Sequence, residues 1–203
     1  MAASCSALGI SALALLAERP MHPYEMYQLL IQRREDRVVK VRPGSLYHTV
    51  HWLENHALVR PTSTEREGNR PERTIYEITA EGRAALTRRV TEMLAAPVNE
   101  FPEFPLAIGE AHNLPRDTVI ELLAGRLALL EADLEEIEGG IREIEAKEVD
   151  PVYWLNVSYS RAIQAAEVEW LRRLLGDLGT NVIPWPDSGQ SKLLRNKEHY
   201  ANA

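Results

Sequence analysis

The chain has 203 residues and a single cysteine, Cys5. This excludes a disulfide within the chain and every zinc or iron-sulfur site built on several thiolates, and it agrees with a reducing compartment. Long apolar runs are missing too: none approaches the roughly 20 residues a membrane span needs. Residues 7–17 have the length of a secretory apolar segment, but no Lys or Arg precedes them. Glu18, Arg19 and Pro20 follow where small residues at a cleavage site would stand. The segment reads as the first core helix of a cytoplasmic protein without a membrane partner. Catalytic signatures are absent as well: there is no HExxH, no GxSxG, no glycine-rich phosphate loop and no nucleophile beside an assignable base. The chain reads as no enzyme, and no cofactor is expected.

An overall excess of positive charge is also lacking, since the formal net charge is -7. The deficit is one-sided. Residues 1–96 hold 13 Lys+Arg against 11 Asp+Glu, net +2, whereas the remaining 107 hold 10 against 19, net -9. Such asymmetry suits a first half that meets something anionic and a second half that does not.

What is present begins with helical periodicity. Residues 6–17 form an apolar helix carrying Leu8, Leu13 and Leu16, ended by Pro20. Pro23 opens a second helix over 23–34, with Tyr27, Leu30 and Ile31 as its inward stripe. Pro43 and Gly44 open a third, within PGSLYHTVHWLENHALVRP, where Leu46, Val50 and Leu53 repeat at i, i+4, i+7 and must face inward. Its histidines fall elsewhere. His48 lies with Ser45, Trp52 and Asn55, His51 lies with Tyr47 and Glu54, and His56 sits at the helix end as a capping or surface residue. Two imidazoles at i, i+3 are a start for a metal site, but the pattern places no third ligand, so no metal is expected. Strands over 58–67 and 73–79 then flank the turn EGNRPE, with Thr74, Tyr76 and Ile78 on one face of the second strand. Thr79 caps a fourth helix, whose apolar face is Leu86, Val90 and Met93 or Leu94.

Three helices followed by a two-stranded hairpin with a basic tip is the order of a winged helix-turn-helix, which puts its third helix into the DNA major groove. Three segments carry a closer likeness: LGISALALLAERPMHPYEMYQLL, PGSLYHTVHWLENHALV and GNRPERTIYEITAEGRAAL. They resemble the first two helices, the recognition helix, and the wing with its following helix in the PadR family of bacterial transcriptional regulators. The resemblance spans residues 8–94. It implies a DNA-binding regulator, most simply a homodimeric repressor on an inverted-repeat, double-stranded operator, released by a small aromatic effector. Two departures stand out. Ala57 and His56 occupy the place where the family often has a glycine, so Asn55 is expected to supply the left-handed residue. His48 replaces a frequent proline, and His51 and Trp52 replace basic residues, so base preferences do not carry over.

The expected DNA contacts are Ser45, Tyr47 and His48 at the start of the third helix, with Gly44, Thr49, His51 and Trp52 beside them. Tyr24 and Lys40 add backbone contacts. Arg66, Asn69, Arg70 and Arg73 on the hairpin meet phosphates or the minor groove.

The second half has its own signature. Ile120, Leu123, Leu127, Leu130, Leu134, Ile137, Ile141 and Ile144 follow one another in alternating steps of three and four, a sustained heptad. About 30 helical residues make a rod of about 45 Å, too long for burial within one small domain, so the seam needs another helix. A bend is expected at Gly139 and Gly140. The partner is the last long helix, residues 151–178. Trp154, Val157, Val168, Leu171, Leu175 and Leu178 line one of its faces, and Tyr159, Ile163, Ala166 and Trp170 a second. A helix apolar on two sides has two neighbours, the heptad helix and a second subunit. The heptad positions with Val168, Leu171 and Leu175 are therefore assigned to dimerisation. Trp154 and Trp170 are assigned to bundle packing or to an aromatic effector held near the junction of helical arm and winged domain.

The expected fold is mainly α with a small β-hairpin wing. A winged helix-turn-helix covers 1–96, a linker with a short helix 97–114, a coiled-coil-like helical dimerisation arm 115–179, and a polar, loose tail 180–203, from which Trp185 can dock onto the bundle. The alternative function is a winged-helix and coiled-coil protein-interaction module without sequence-specific DNA binding, which the acidic second half favours.

Overall fold

The computed structural model describes residues 5–65 and 73–185. It is mostly helical with one two-stranded antiparallel hairpin, and it divides into two compact units, Met1–Glu100 and Phe101–Ala203. Among the described residues no helix is long and apolar enough to cross a membrane.

In the first unit, helix α1 (Ala7–Glu18) starts where the Ser6 hydroxyl accepts the Gly9 N–H at 3.1 Å, and it buries Leu8, Ala12, Leu13, Leu15 and Leu16. Helix α2 (Pro23–Gln32) begins on proline, whose missing N–H is one of the groups a helix start leaves unbonded anyway. Its buried face is Pro23, Met26 and Leu30. This corrects the predicted stripe: Leu30 is buried, but Tyr27 is only half-buried and Ile31 is 39% exposed, because the inward row runs through Met26. The helix also ends sooner than the pattern suggested, since Arg34 takes a left-handed φ of 59° and a 3-10 turn follows over Glu35–Arg37.

Helix α3 (Pro43–Asn55) buries Leu46, Val50 and Leu53, the row its spacing predicted. Its end differs from expectation. Asn55 is still helical, and the left-handed residue is Ala57, with φ 56°. Tertiary hydrogen bonds hold it there: the Thr79 hydroxyl donates to the Ala57 carbonyl at 2.7 Å, and the Leu58 N–H reaches the Leu53 carbonyl at 2.9 Å.

Strands β1 (Val59–Glu65) and β2 (Arg73–Ile78) pair antiparallel, with Val59 opposite Ile78 and an irregularity between Pro61 and Ser63. Proline cannot donate to a ladder, so a break at that point is expected. Met21, fully buried, adds a bridge to Tyr76 with 3.1 Å hydrogen bonds in both directions, which ties the α1–α2 turn to the base of the hairpin. Helix α4 (Ala80–Ala95) is capped by Thr79, whose hydroxyl accepts the Gly82 N–H at 3.0 Å. Gly82 is required by space, because a Cβ there would sit 2.0 Å from the Leu58 carbonyl oxygen. The predicted apolar face of α4 is corrected in its second half. Leu86 packs on the core, but Val90, Met93 and Leu94 are exposed within the unit, because only the first turns of α4 reach the other helices.

In the second unit, a short helix α5 (Glu103–Gly109) precedes two long ones, α6 (Arg116–Ala146) and α7 (Leu155–Gly179). The long pair is antiparallel, with Arg116 donating to the Leu178 carbonyl and Gln164 to the Leu130 carbonyl at 2.9 Å, and Arg126 binds Glu167, Glu131 binds Arg172 and Glu138 binds Arg161 at 2.7 to 2.8 Å. Helix α6 runs through Gly139 and Gly140 without interruption. All eight heptad positions are buried or half-buried. Their neighbour is α7 of the same chain, with Val119, Leu123, Leu171 and Leu178 as the centre of the packing. Of the residues assigned to dimerisation, Leu123, Ile137, Val168 and Leu171 are covered by this intrachain packing, the neighbour expected for the seam. Uncovered are Tyr159, Ile163 and Trp170 on α7 and Leu122 and Leu129 on α6. Trp185 packs on the bundle and its indole N–H donates to the Leu114 carbonyl at 2.9 Å. Residues 186–203 of the predicted tail lie outside the described residues.

Candidate nucleic-acid interface

The exposed side of α3 follows from its buried side. With Leu46, Val50 and Leu53 turned inward, Ser45, Tyr47, His48 and His51 stand in solvent on the remaining arc. Arg42 at the helix start offers no side-chain cap, so the first-turn N–H groups are left to water or to an incoming acceptor. Gly44 is open, with no atom within 4 Å of a Cβ built on it. Thr49 differs from its neighbours. It is half-buried, its hydroxyl donates to the Ser45 carbonyl at 2.8 Å, and its methyl lies 3.7 Å from the Cβ position of Gly9 on α1. Trp52 is half-buried beneath His56, the two rings stacked at 4.0 Å, and His56 Nδ1 lies 2.8 Å from the Trp52 carbonyl oxygen. That contact gives His56 the helix-end role its position predicted. Tyr24 and Lys40 are exposed, with the Tyr24 ring tilted against Tyr27 at 6.5 Å.

One carboxylate joins α3 to the hairpin. Glu54 Oε2 accepts from the Tyr76 hydroxyl at 3.3 Å and lies 3.6 Å from His51 Nδ1. Burial pushes the Tyr76 hydroxyl above the usual tyrosine range, and the Glu54 charge adds to the effect. Three cations of the unit are committed internally: Arg33 to Glu18 at 2.5 and 2.8 Å, Arg60 to Glu77 at 2.5 Å, and Arg19 to Glu25. Arg66, Asn69 and Arg70 lie outside the described residues. Arg73 opens β2 opposite Glu65, and its side chain is likewise outside the described part. Among the described residues no group of three or more His, Cys, Asp or Glu is placed to hold a metal.

Two functional candidates escaped the sequence reading. His22 caps α2, its Nδ1 accepting the Tyr24 N–H at 3.0 Å, and its ring stands edge-on to Tyr47 at 5.9 Å. The proline at the first helical position was the available signal, because it marks the preceding residue as the cap. The Glu54 link had no such signal, since Tyr76 is 22 positions away.

In the second unit, Trp154 stands just before α7 and Trp170 about four turns into it, about 24 Å along the axis, so the two are not brought together. Trp154 donates from its indole to the Val149 carbonyl at 3.2 Å. Trp170 stands edge-on to Phe104 at 6.2 Å, and the Arg126 guanidinium lies over the Phe104 ring at 3.7 Å while bonding Glu167.

Residues 12–88 match the model of the transcriptional regulator PadR-like family. Over these residues the first unit is similar to the PadR-like family. The family is one of transcriptional regulators and not of enzymes. Among solved structures, the chain is similar to Bacillus subtilis PadR in complex with operator DNA, at 18% identity and a TM-score of 0.74, over 85% of this chain and 99% of that one. The complex of Bacillus subtilis PadR with p-coumaric acid gives 17% identity and a TM-score of 0.71 over 85% and 98%. A PadR-like transcriptional regulator from Bacillus cereus gives 18% and 0.63 over 85% and 99%. At these identities the likeness is one of fold. No curated protein matches the chain. The PadR-like match thus lies in the winged unit, where the quoted motifs stand.

Proposed function

We propose that this chain is a cytoplasmic, homodimeric repressor that binds an inverted-repeat operator in double-stranded DNA and releases it on binding a small aromatic effector. The observation that carries the reading is the solvent-facing arc of α3, with Ser45, Tyr47, His48 and His51 beside a two-stranded wing in a PadR-like unit. These side chains supply hydroxyl and imidazole groups that donate and accept hydrogen bonds at base edges and phosphates. Tyr24, Lys40 and Gly44 add backbone contacts. Arg66, Asn69, Arg70 and Arg73 add the wing's share. Thr49 stands beside Ser45, Tyr47, His48 and His51 on the same helix, its hydroxyl donating to the Ser45 carbonyl.

The uncovered apolar row Tyr159, Ile163 and Trp170 on α7 supports self-association. A two-fold dimer offers two α3 helices to half-sites about one turn of DNA apart, which is why an inverted repeat is expected. The effector reading is supported by the aromatic pair Phe104 and Trp170 and by the complex of Bacillus subtilis PadR with p-coumaric acid.

The test is to incubate the purified protein with sheared DNA of its own genome and sequence what it retains. An enriched inverted repeat is expected. Its affinity should fall with salt, and Arg70→Ala with Arg73→Ala should flatten that slope by about 0.9 for each phosphate no longer neutralised. Absence of any enriched repeat would move the assignment to a protein-interaction module, the reading that the acidic second half favours. Phenolic compounds that quench the tryptophan fluorescence should also release the retained fragments.

A further inference from the structure

His22 occupies a place where three elements of the winged unit meet. The residue before it, Met21, is fully buried and bonded in both directions to Tyr76 of β2, so the backbone entering His22 is fixed by the hairpin. The His22 side chain then turns to both helices of the helix-turn-helix. Its Nδ1 accepts the Tyr24 N–H at 3.0 Å, which fixes the first turn of α2. Its ring meets the Tyr47 ring at 5.9 Å and 73°, the edge-to-face arrangement aromatic rings favour. Both partners are surface tyrosines, Tyr24 being 48% and Tyr47 45% exposed. An exposed tyrosine on a helix has free rotamers unless something holds its ring, and the half-buried imidazole is what the structure places beside Tyr47.

We infer that His22 is a positioning residue for DNA contact: it sets the Tyr47 ring on α3 and the Tyr24 backbone on α2 as one unit, without reaching the nucleic acid itself. The inference rests on the DNA-binding reading above. Accepting at Nδ1 requires the neutral ring with its proton on Nε2. Two substitutions separate the two contacts. His22→Asn keeps a side chain that caps helices well and removes the ring, whereas His22→Phe keeps a ring edge for Tyr47 and removes the cap.

The experiment measures binding of each variant to one duplex, about 40 base pairs, recovered from genomic fragments by the wild-type chain, together with its thermal unfolding. His22→Asn should unfold close to the wild type yet bind about three- to tenfold more weakly, the loss expected when a freed tyrosine side chain has to be ordered on binding. In a Tyr47→Ala background the same substitution should change affinity no further. His22→Phe should retain more of the affinity than His22→Asn while unfolding earlier. The inference is overturned if His22→Asn binds as the wild type does, or if its effect is undiminished in the Tyr47→Ala background. A wild-type chain that recovers no duplex would overturn the DNA-binding reading and this inference with it. A wild type that binds while the two substitutions act additively overturns this inference alone.

Discussion

In the first unit, Leu13, Met26, Leu30, Leu46, Leu53 and Val59 come from four helices and strands in turn, and each is at most 1% exposed. In the second unit only Leu171 and Leu178 reach that level among the described residues, although its two long helices carry as many aliphatic side chains. The difference is geometric. Helices and a hairpin that cross in several directions enclose a centre, whereas two antiparallel rods share one seam and leave their outer sides open. Tyr159, Ile163 and Trp170 on α7, with Leu122 and Leu129 on α6, are among the side chains left open in this way. One unit therefore has a complete core of its own, and the other leaves apolar side chains open along its outer faces.

The strongest way to break this comparison is to make the same cut in both places. Leu53→Ala should cost the first unit about 4 kcal/mol, because the enclosed site cannot close over the cavity. Leu171→Ala should fall near the lower end of the range, about 2 to 3 kcal/mol, because two rods can settle toward each other. Urea unfolding of both variants checks this, and equal effects would show that the open seam is as rigid as the closed core. Next in size, Gly82→Ala should destabilise by about 3 kcal/mol through forced displacement of the Leu58 carbonyl and of α4. A variant melting with the wild type would mean that the loop after α3 yields at no cost.

The open side of the second unit is tested by charge. Ile163→Asp should leave the unfolding of a single chain within about 0.5 kcal/mol, since the residue is exposed there. It should weaken self-association tenfold or more, an effect of about 1.4 kcal/mol or greater. Sedimentation over a range of concentrations gives the answer, and an unchanged assembly would remove the α7 row from the proposed dimer.

What the sequence could and could not disclose follows the same division. The α3 stripe was readable because Leu46, Val50 and Leu53 are the apolar residues of a polar helix, and the exposed arc is simply their complement. The Thr79 cap and the heptad were readable because both are local patterns. In α2, by contrast, Met26, Tyr27, Leu30 and Ile31 offer two apolar phases within three turns, and only packing chooses Met26 over Ile31. The left-handed Ala57 depends on the Thr79 hydroxyl, 22 positions on, and the half-burial of Thr49 depends on Gly9 in another helix. Periodicity likewise made Val90 and Leu94 apolar without saying whether anything in the unit covers them. Of the candidate interface, the residues on α3 were legible, while the side chains that hold them, His22 and Glu54, were not, because holding is a long-range property.

The smallest expected effects set two carboxylates of the first unit against each other. Glu18 accepts two hydrogen bonds from Arg33, and these chiefly hold its carboxyl below the usual range. Glu35 is raised, chiefly by burial, while Arg33 and a hydrogen bond from Ser11 pull the other way and the Glu18 charge adds to the rise. The signs are therefore opposite. A depressed carboxyl stabilises the fold above its unfolded pKa and loses that contribution as pH falls through the folded value. A raised carboxyl favours the fold when protonated, so its contribution is present below the unfolded pKa and is lost as pH rises through the folded one. At neutral pH, Glu18→Gln should thus destabilise and Glu35→Gln should stabilise. Each effect should be a few tenths of a kcal/mol, since the Glu18 side chain is 48% exposed and solvent screens the pair. Both differences should shrink as pH falls through the carboxylate range, where the native groups take up protons. Urea midpoints between about pH 4 and pH 8 resolve the two slopes. Slopes of the same sign would mean that Arg33 governs Glu35 as it governs Glu18, and that burial beside α1 is the weaker influence.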